Sequence, residues 1–204
     1  MLYEISVDDG GILDLRVAEL LEQYGLTGTF YIPTMRTELN DDQIIDLSKR
    51  HTIGSHTCSH PQDLKLLDKD TLMYELSVSK QKLEYILEKP VDKFCLPRGR
   101  YDQGVLNAVE KAGYTSCRTT KVFNTDIPNG LLVDTTIHIG YPRKEYEGLP
   151  WLDVAYRYLD IVAGKVDGYY HCWGHSQEIN KLDEWDNLEK FFSRLSEHKQ
   201  KRIS

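Results

Sequence analysis

No stretch of this 204-residue sequence approaches the ~20 consecutive apolar residues needed to cross a bilayer. Nor does a basic segment followed by an apolar one stand at its start, so no signal peptide is expected within it. Membrane insertion is therefore not expected, and a cytoplasmic location is. Cysteine is scarce: Cys58, Cys95, Cys117 and Cys172 include no C-x-x-C pair and are too scattered for a disulfide framework. Free thiols in a reducing compartment are the simpler reading. Cations are short as well. The 25 Lys+Arg against 32 Asp+Glu leave a net charge of −7, and nucleic acid or anionic lipid would call for clustered cations. Low-complexity tracts and an obvious repeat are missing too.

What remains is ordinary globular composition, 40% hydrophobic and 28% charged, which lies well away from disorder. The length fits one domain, residues 1–204, better than two. Strand-like runs at 2–7, 29–32, 52–55, 94–96, 114–118, 135–139 and 169–173 alternate with helical spacing at 13–24, 40–50, 68–88, 103–112, 149–163 and 181–198. Asn40 and Asp68 stand where N-caps belong, and Gly25 and Gly113 where helices stop.

About seven strands, nearly all followed by helices, predict a parallel sheet covered by helices. The polar residues sharpen this to an α/β fold of the distorted, incomplete (β/α) barrel type. Asp8 and Asp9 follow the first strand, His56 and His60 the third, and Arg98 and Gly99 the fourth. Arg118, His138 and His175 follow the next three. In a β/α barrel such strand ends converge on one mouth, where active sites form.

Three constellations carry chemistry. In Asp8-Asp9-Gly10 two adjacent carboxylates point in different directions, so that one can hold a metal while the other reaches a water. Alone, such a turn is more often a solvated acidic corner. In His56-Thr57-Cys58-Ser59-His60 the two histidines can meet at one cation if the segment turns tightly. With an Asp from elsewhere they make a two-nitrogen, one-oxygen set that leaves positions open for water, a catalytic pattern rather than a structural one. Two surface histidines in a polar loop would look the same. Cys58, between them, reads as a small buried side chain facing away. In Tyr169-Tyr170-His171-Cys172-Trp173-Gly174-His175, His171 lies deeper and reads as a satisfied core histidine. His175 lies at the strand end, where an imidazole suits general acid work.

At this point the residues resemble a family. Ser6-Val7-Asp8-Asp9-Gly10 is similar to the opening motif of the polysaccharide deacetylases, the NodB-homology carbohydrate esterases of family 4. Ser55-His56-Thr57-Cys58-Ser59-His60 resembles their second motif and Phe94-Cys95-Leu96-Pro97-Arg98-Gly99-Arg100-Tyr101 their third. Residues 170–175 resemble the closing strand motif. The motifs occur in family order and span nearly the whole chain; the first two together are specific, the later ones looser. The resemblance implies an incomplete β/α barrel that removes acetyl groups from N-acetylated sugars with a divalent metal, usually zinc.

Carried over by position, Asp9, His56 and His60 would hold the metal, Asp8 would be the base and His175 the acid. Pro97, Arg98, Gly99, Tyr101 and Trp173 are the expected substrate-contacting residues, with Tyr141 and Trp151 further aromatic faces whose commoner role is core or rim. Two departures stand out. Cys95 occupies a place where the family often has an arginine that orients the base, and Arg98 a place for an aromatic. The acidic-tryptophan motif that partners that arginine is not evident between Arg118 and Pro142, and Arg118 is the candidate replacement cation.

The expected function is metal-dependent hydrolysis of the N-acetyl amide of an amino sugar or an N-acetylated oligo- or polysaccharide. Two other readings stay open: an amidohydrolase of the same superfamily acting on a non-sugar amide or ureide, and a non-catalytic carbohydrate-binding homologue.

Overall fold

The elements appear in the alternating order the sequence suggests. In the computed structural model, which describes residues 2–200, β1 (Leu2–Asp8) leads into α1 (Asp14–Gln23), followed by β2 (Thr29–Ile32), α2 (Asp41–Leu47) and β3 (Thr52–Ser55). Next come α3 (Lys69–Leu87), β4 (Lys93–Cys95), α4 (Gln103–Lys111) and β5 (Ser116–Arg118). Two short strands, β6 (Leu132–Val133) and β7 (Ile137–His138), precede α5 (Trp151–Ala163), β8 (Tyr169–Gly174), α6 (Ser176–Lys181) and α7 (Trp185–Gln200).

All strand pairs are parallel, in the order β6-β5-β4-β3-β2-β1-β8-β7. Among the described residues no pairing joins β6 to β7, so the barrel stays open there. The fold is thus the incomplete β/α barrel expected, with eight strands where about seven were read. The extra one is β6, whose two residues are too few to show a period.

Local chemistry explains the helices. Asn40 and Gln43 form a reciprocal capping box on α2, while Asp68 and Asp102 accept first-turn N–H groups of α3 and α4. Each such cap contributes about 1 kcal/mol. The terminal helix read at 181–198 begins later, as α7, and a short helix not read from the sequence, α6, ends at Lys181. Glu184 N–H bonds Ile179 C=O and Asp183 N–H bonds Asn180 C=O, with Asp183 left-handed at φ 54°. That is a Schellman ending, and an aspartate in the usual glycine position hid it from the sequence pattern.

Side-chain parity separates two layers. Ile5, Val7, Phe30, Ile32, Tyr170 and Cys172 face outward and pack with Leu21, Val154, Leu159 and Phe191 of the helices in the main core. A smaller core under α3 and α4 holds Leu76, Phe94, Val105 and Cys117. The alternate residues line the barrel interior, which is largely polar. Lys93 and Glu4 pair across 3.5 Å, Tyr169 Oη and Ser6 Oγ flank His171, and Tyr31, Trp173 and Arg118 lie above. Gly54 is required here because a Cβ would stand 2.5 Å from the Tyr31 ring. Among the described residues no helix is long and apolar enough to cross a membrane.

Candidate active site

The strand ends at the barrel mouth bring the predicted residues together. Asp8 ends β1, and the chain then turns through Asp9 at φ 82° and Gly10 at φ 59°. Thr37 Oγ1 and Glu38 N–H both bond Gly10 C=O, at 2.8 and 2.9 Å, and fix this turn. After β3, His56 N–H bonds Ile32 C=O at 3.0 Å, and Thr57 and His60 take left-handed backbone at φ 68° and 55°. The Thr57 hydroxyl accepts from His60 N–H at 3.0 Å. From α3 the buried Glu75 accepts from Cys58 N–H, Ser59 N–H and Ser59 Oγ at 2.8, 2.9 and 2.6 Å.

That folding aims both imidazoles at one carboxylate. Asp9 Oδ1 lies 3.6 Å from His56 Nε2 and 3.5 Å from His60 Nε2. Donors bound at ~2.1 Å to a common cation with tetrahedral angles stand ~3.4 Å apart, so the three atoms fit a divalent metal. His56 Nδ1 donates to Cys95 C=O at 2.9 Å, which leaves its Nε2 lone pair facing the cluster. Burial, more than the opposing pull of Asp8, lowers the His56 pKa to about 4 and keeps the imidazole neutral, as a ligand must be. His60 is lowered by burial, then raised by Asp9 and lowered again by Arg98 and Arg36. Asp9 is 39% exposed, so the site opens to solvent.

Two other clusters also bring three metal-binding side chains together, Asp8 with His56 and Cys95 and His138 with His175 and Glu178. The first is spoken for: Asp8 is ion-paired to Arg118, and burial keeps the Cys95 thiol protonated, well above its ordinary pKa. The second is joined internally by hydrogen bonds. Asp9, His56 and His60 form the set with its donors free.

Asp8 is buried and paired with Arg118, itself fully buried between Trp173 at 4.5 Å and Tyr31 at 5.3 Å from ring centroids. Burial alone would raise the Asp8 carboxyl. The Arg118 guanidinium, with His56 and His175 nearby, outweighs that and holds it well below the ordinary carboxylate range. Arg118 and Cys95 are directly paired in register across β4 and β5. The cation that the resemblance places at Cys95 has thus moved one strand over at the same level. Cys95 Sγ still lies 3.7 Å from Asp8 Oδ2.

On the opposite side, His175 Nε2 lies 4.0 Å from Asp8 Oδ2 and 3.8 Å from Asp9 Oδ2. Its Nδ1 bonds Glu178 Oε2 at 2.7 Å, and His138 Nε2 bonds the same oxygen at 3.0 Å. Burial would lower His175, but Glu178 first and then Asp8 and Asp9 raise its pKa to about 9. Burial instead lowers His138 to about 4, so the neutral ring donates its Nε2–H to Glu178. His171 is a core residue: its Nε2 meets Ser6 Oγ at 2.8 Å and its Nδ1 Tyr169 Oη at 2.9 Å, and burial drives its pKa well below the ordinary value.

The remaining predicted residues frame the mouth unevenly. Pro97, Arg98 and Gly99 form a 3-10 turn with Arg98 left-handed at φ 56°. Tyr101 is half-buried and accepts from Lys121 Nζ at 3.0 Å. Trp173 is 3% exposed and stacks on His138 at 4.0 Å, so it is a buried wall rather than an open face. Trp151 is core, bonded to Glu184 at 2.9 Å, whereas Tyr141 is exposed beside His138. Sequence reading missed Glu75 and Glu178. Glu178 announces itself only by standing three residues after His175 at a helix start; Glu75 lies on the apolar stripe of α3.

The fold is an open β/α barrel with carboxylates and histidines gathered at its mouth, the face where active sites form in such barrels. The sequence model of the polysaccharide deacetylases matches residues 3–117, and the chain belongs to that family. Among solved structures, it is similar to the Streptococcus pyogenes deacetylase PplD in complex with acetate, with 21% identity and a TM-score of 0.60, over 65% of this chain and 62% of that one. The chain therefore spans less than two thirds of that relative's length. It is also similar to the Bc1960 peptidoglycan N-acetylglucosamine deacetylase, at 17% identity and TM-score 0.65 over 95% and 81% of the two chains. A Streptomyces lividans family 4 carbohydrate esterase in complex with acetate is 15% identical with TM-score 0.64, over 96% and 89%. At these identities the structures speak for the fold. No curated protein matches the sequence.

Proposed function

We propose that the chain is a single-domain, metal-dependent N-deacetylase that hydrolyses the acetamido group of an amino sugar, as a small glycan or within an N-acetylated polysaccharide. The observation that carries this is the convergence of Asp9, His56 and His60 on one point with Asp8 and His175 on either side. A divalent cation there, which we assign as zinc from the two-nitrogen, one-oxygen set, supplies a Lewis acid and a water of lowered pKa.

The chain's own groups do the rest. Asp8, kept ionised by Arg118, takes a proton from the attacking water as the C–O bond forms. In the Pro97–Gly99 turn Gly99 N–H bonds Leu96 C=O and Arg100 N–H bonds Pro97 C=O, so Arg98 N–H is the group left to face a developing oxyanion. One such donor is worth about 2.7–4 kcal/mol. His175, protonated at neutral pH and held by Glu178, gives its Nε2 proton to the leaving amine as the C–N bond breaks. Acetate and the free amino sugar are released. Arg98, Gly99, Tyr101 and Tyr141 border the sugar, with Pro97 and Trp173 behind them.

Acetate release from N-acetylated sugars, measured beside metal content, tests this reading. Asp8→Asn should lose activity and keep the metal, whereas His60→Ala should lose both. Activity retained in either variant overturns the roles given.

A further inference from the structure

The cavity of about 270 Å³ beside the site is lined by Asp9 and His60, and also by Arg36, Arg98 and Gln177. Most other described arginines are matched: Arg50 pairs with Glu22, Arg100 with Asp63, Arg118 with Asp8, Arg143 with Glu145 and Arg194 with Asp160, while Arg16 lies over the Trp185 ring at 3.9 Å and Arg157, like Arg36 and Arg98, has no ion pair. Among the described residues neither Arg36 nor Arg98 has a carboxylate within ion-pair distance. Of the two carboxylates on the cavity, Asp9 faces His56 and His60, and Glu38 accepts the Ile12 N–H at 2.8 Å.

Both arginines project from fixed backbone. The Arg36 loop is bonded on one side to the acidic turn, through Glu38 N–H to Gly10 C=O. On the other side it is bonded to the histidine motif, through Thr34 N–H to Thr57 C=O and Met35 N–H to Cys58 C=O. Lys82 Nζ adds a bond to Thr34 C=O at 3.0 Å. Arg98 sits in its left-handed turn with Gly99 packed so closely on Thr120 that a Cβ would stand 2.0 Å from its hydroxyl. Two guanidiniums on hydrogen-bonded backbone, neither in an ion pair and both opening on the cavity that Asp9 and His60 also line, can together receive an oxyanion.

We infer that Arg36 and Arg98 bind an anionic group, phosphate or carboxylate, carried by the amino-sugar substrate next to the acetamido group that is hydrolysed. This rests on the deacetylase reading and narrows it from N-acetylated sugars in general to anionic ones. Gln177, at the start of α6, supplies a neutral donor on the same cavity wall.

The test compares acetate release by the zinc-loaded protein from methyl N-acetylglucosaminide, N-acetylglucosamine 1-phosphate and N-acetylmuramic acid, and separately measures inorganic phosphate binding by calorimetry. The wild type should favour a charged sugar over the neutral one by roughly tenfold or more in kcat/KM. Which of the two it favours distinguishes phosphate from carboxylate. Arg36→Ala and Arg98→Ala should each lower that ratio, mainly through KM, and weaken phosphate binding by a similar factor. Arg36→Glu should reverse the preference, and melting temperature and zinc content serve as folding controls. Equal use of charged and neutral sugars, an unchanged ratio in the variants, or phosphate bound equally by wild type and variants overturns the inference. No acetate from any sugar, with phosphate binding still lost in the variants, sinks the deacetylase reading but keeps the anion site.

Discussion

Asp9, His56 and His60 sit on irregular backbone, whereas His175 and Glu178 sit at a strand end and on the helix that follows. On the cation side Asp9, Thr57, His60 and Arg98 all have positive φ, half of the eight non-glycine residues that do among the described residues. Each such position costs roughly 1–2 kcal/mol, which the loop bonds to Gly10, Thr57 and Glu75 offset. The backbone there aims the donor atoms. On the acid side His175 is extended at φ −123°, and its ring is aimed by side-chain hydrogen bonds through Glu178 to His138. Geometry set by backbone should fail all at once when a ligand is removed; geometry set by side-chain bonds should decline by steps.

Asp8 lies between the two sides and owes its charge chiefly to Arg118, which rises from the barrel interior, with smaller help from His56 and His175. Replacing that cation should therefore have the largest effect. Arg118→Leu leaves Asp8 buried without a partner, and the expected cost is about 3–5 kcal/mol in urea unfolding. The Asp8 carboxyl would rise above its ordinary range, and acetate release at neutral pH should fall roughly a thousandfold with metal affinity largely kept. Unchanged stability would mean that the pair contributes little and that Asp8 is held by other groups.

The two histidines of β8 and its end sharpen the contrast next. His175→Ala should lose about 10²–10⁴-fold in kcat with metal content unchanged. His171→Ala strands the Ser6 hydroxyl and leaves Tyr169 Oη only its bond to Glu4, so it should cost about 1–3 kcal/mol of stability with little change in activity per folded molecule. A larger kcat loss from the second variant would transfer the acid role to His171.

These contrasts track what was legible in the sequence. Asp8-Asp9-Gly10 and His56-x-x-x-His60 are short because neighbouring residues on one tight loop make the cation side, and chain proximity is visible in a sequence. The barrel, too, was legible, since strand ends carried the polar residues. Arg118 was readable as a candidate replacement cation only beside the resemblance, because the strand registry that places it next to Cys95 is a tertiary fact. Glu75 looked like one more polar residue on α3; its three hydrogen bonds depend on how the helix docks. Trp151 takes the core role that was the commoner expectation, and Trp173, a candidate substrate contact, is covered for the same reason. Composition says which residues are bulky, and packing decides which are covered.

The smallest effect belongs to Glu178, and it is the most informative about the acid side. Its carboxylate raises His175 to about 9 and is itself lowered to about 2, burial opposing and His138 and His175 prevailing. Because the folded His175 pKa lies above its unfolded value near 6.5, its protonation supports the fold fully below that pH, and the support is lost as pH rises through about 9. Glu178→Gln keeps an oxygen for one ring N–H but removes the charge, so His175 must titrate lower. The alkaline limb of kcat should move down in pH, kcat at neutral pH should fall by roughly tenfold, less than on deleting the imidazole, and KM should hold. The decline of stability above pH 6.5 should flatten in the same variant. A cation on Asp9 cancels part of the pull on His175, so the limb of the loaded enzyme lies below that of the metal-free fold, and the variant shifts both in the same direction. An alkaline limb that stays in place in Glu178→Gln would show that His175 is charged by the carboxylates across the mouth. The acid side would then be organised from the cation side, and the division between them would not hold.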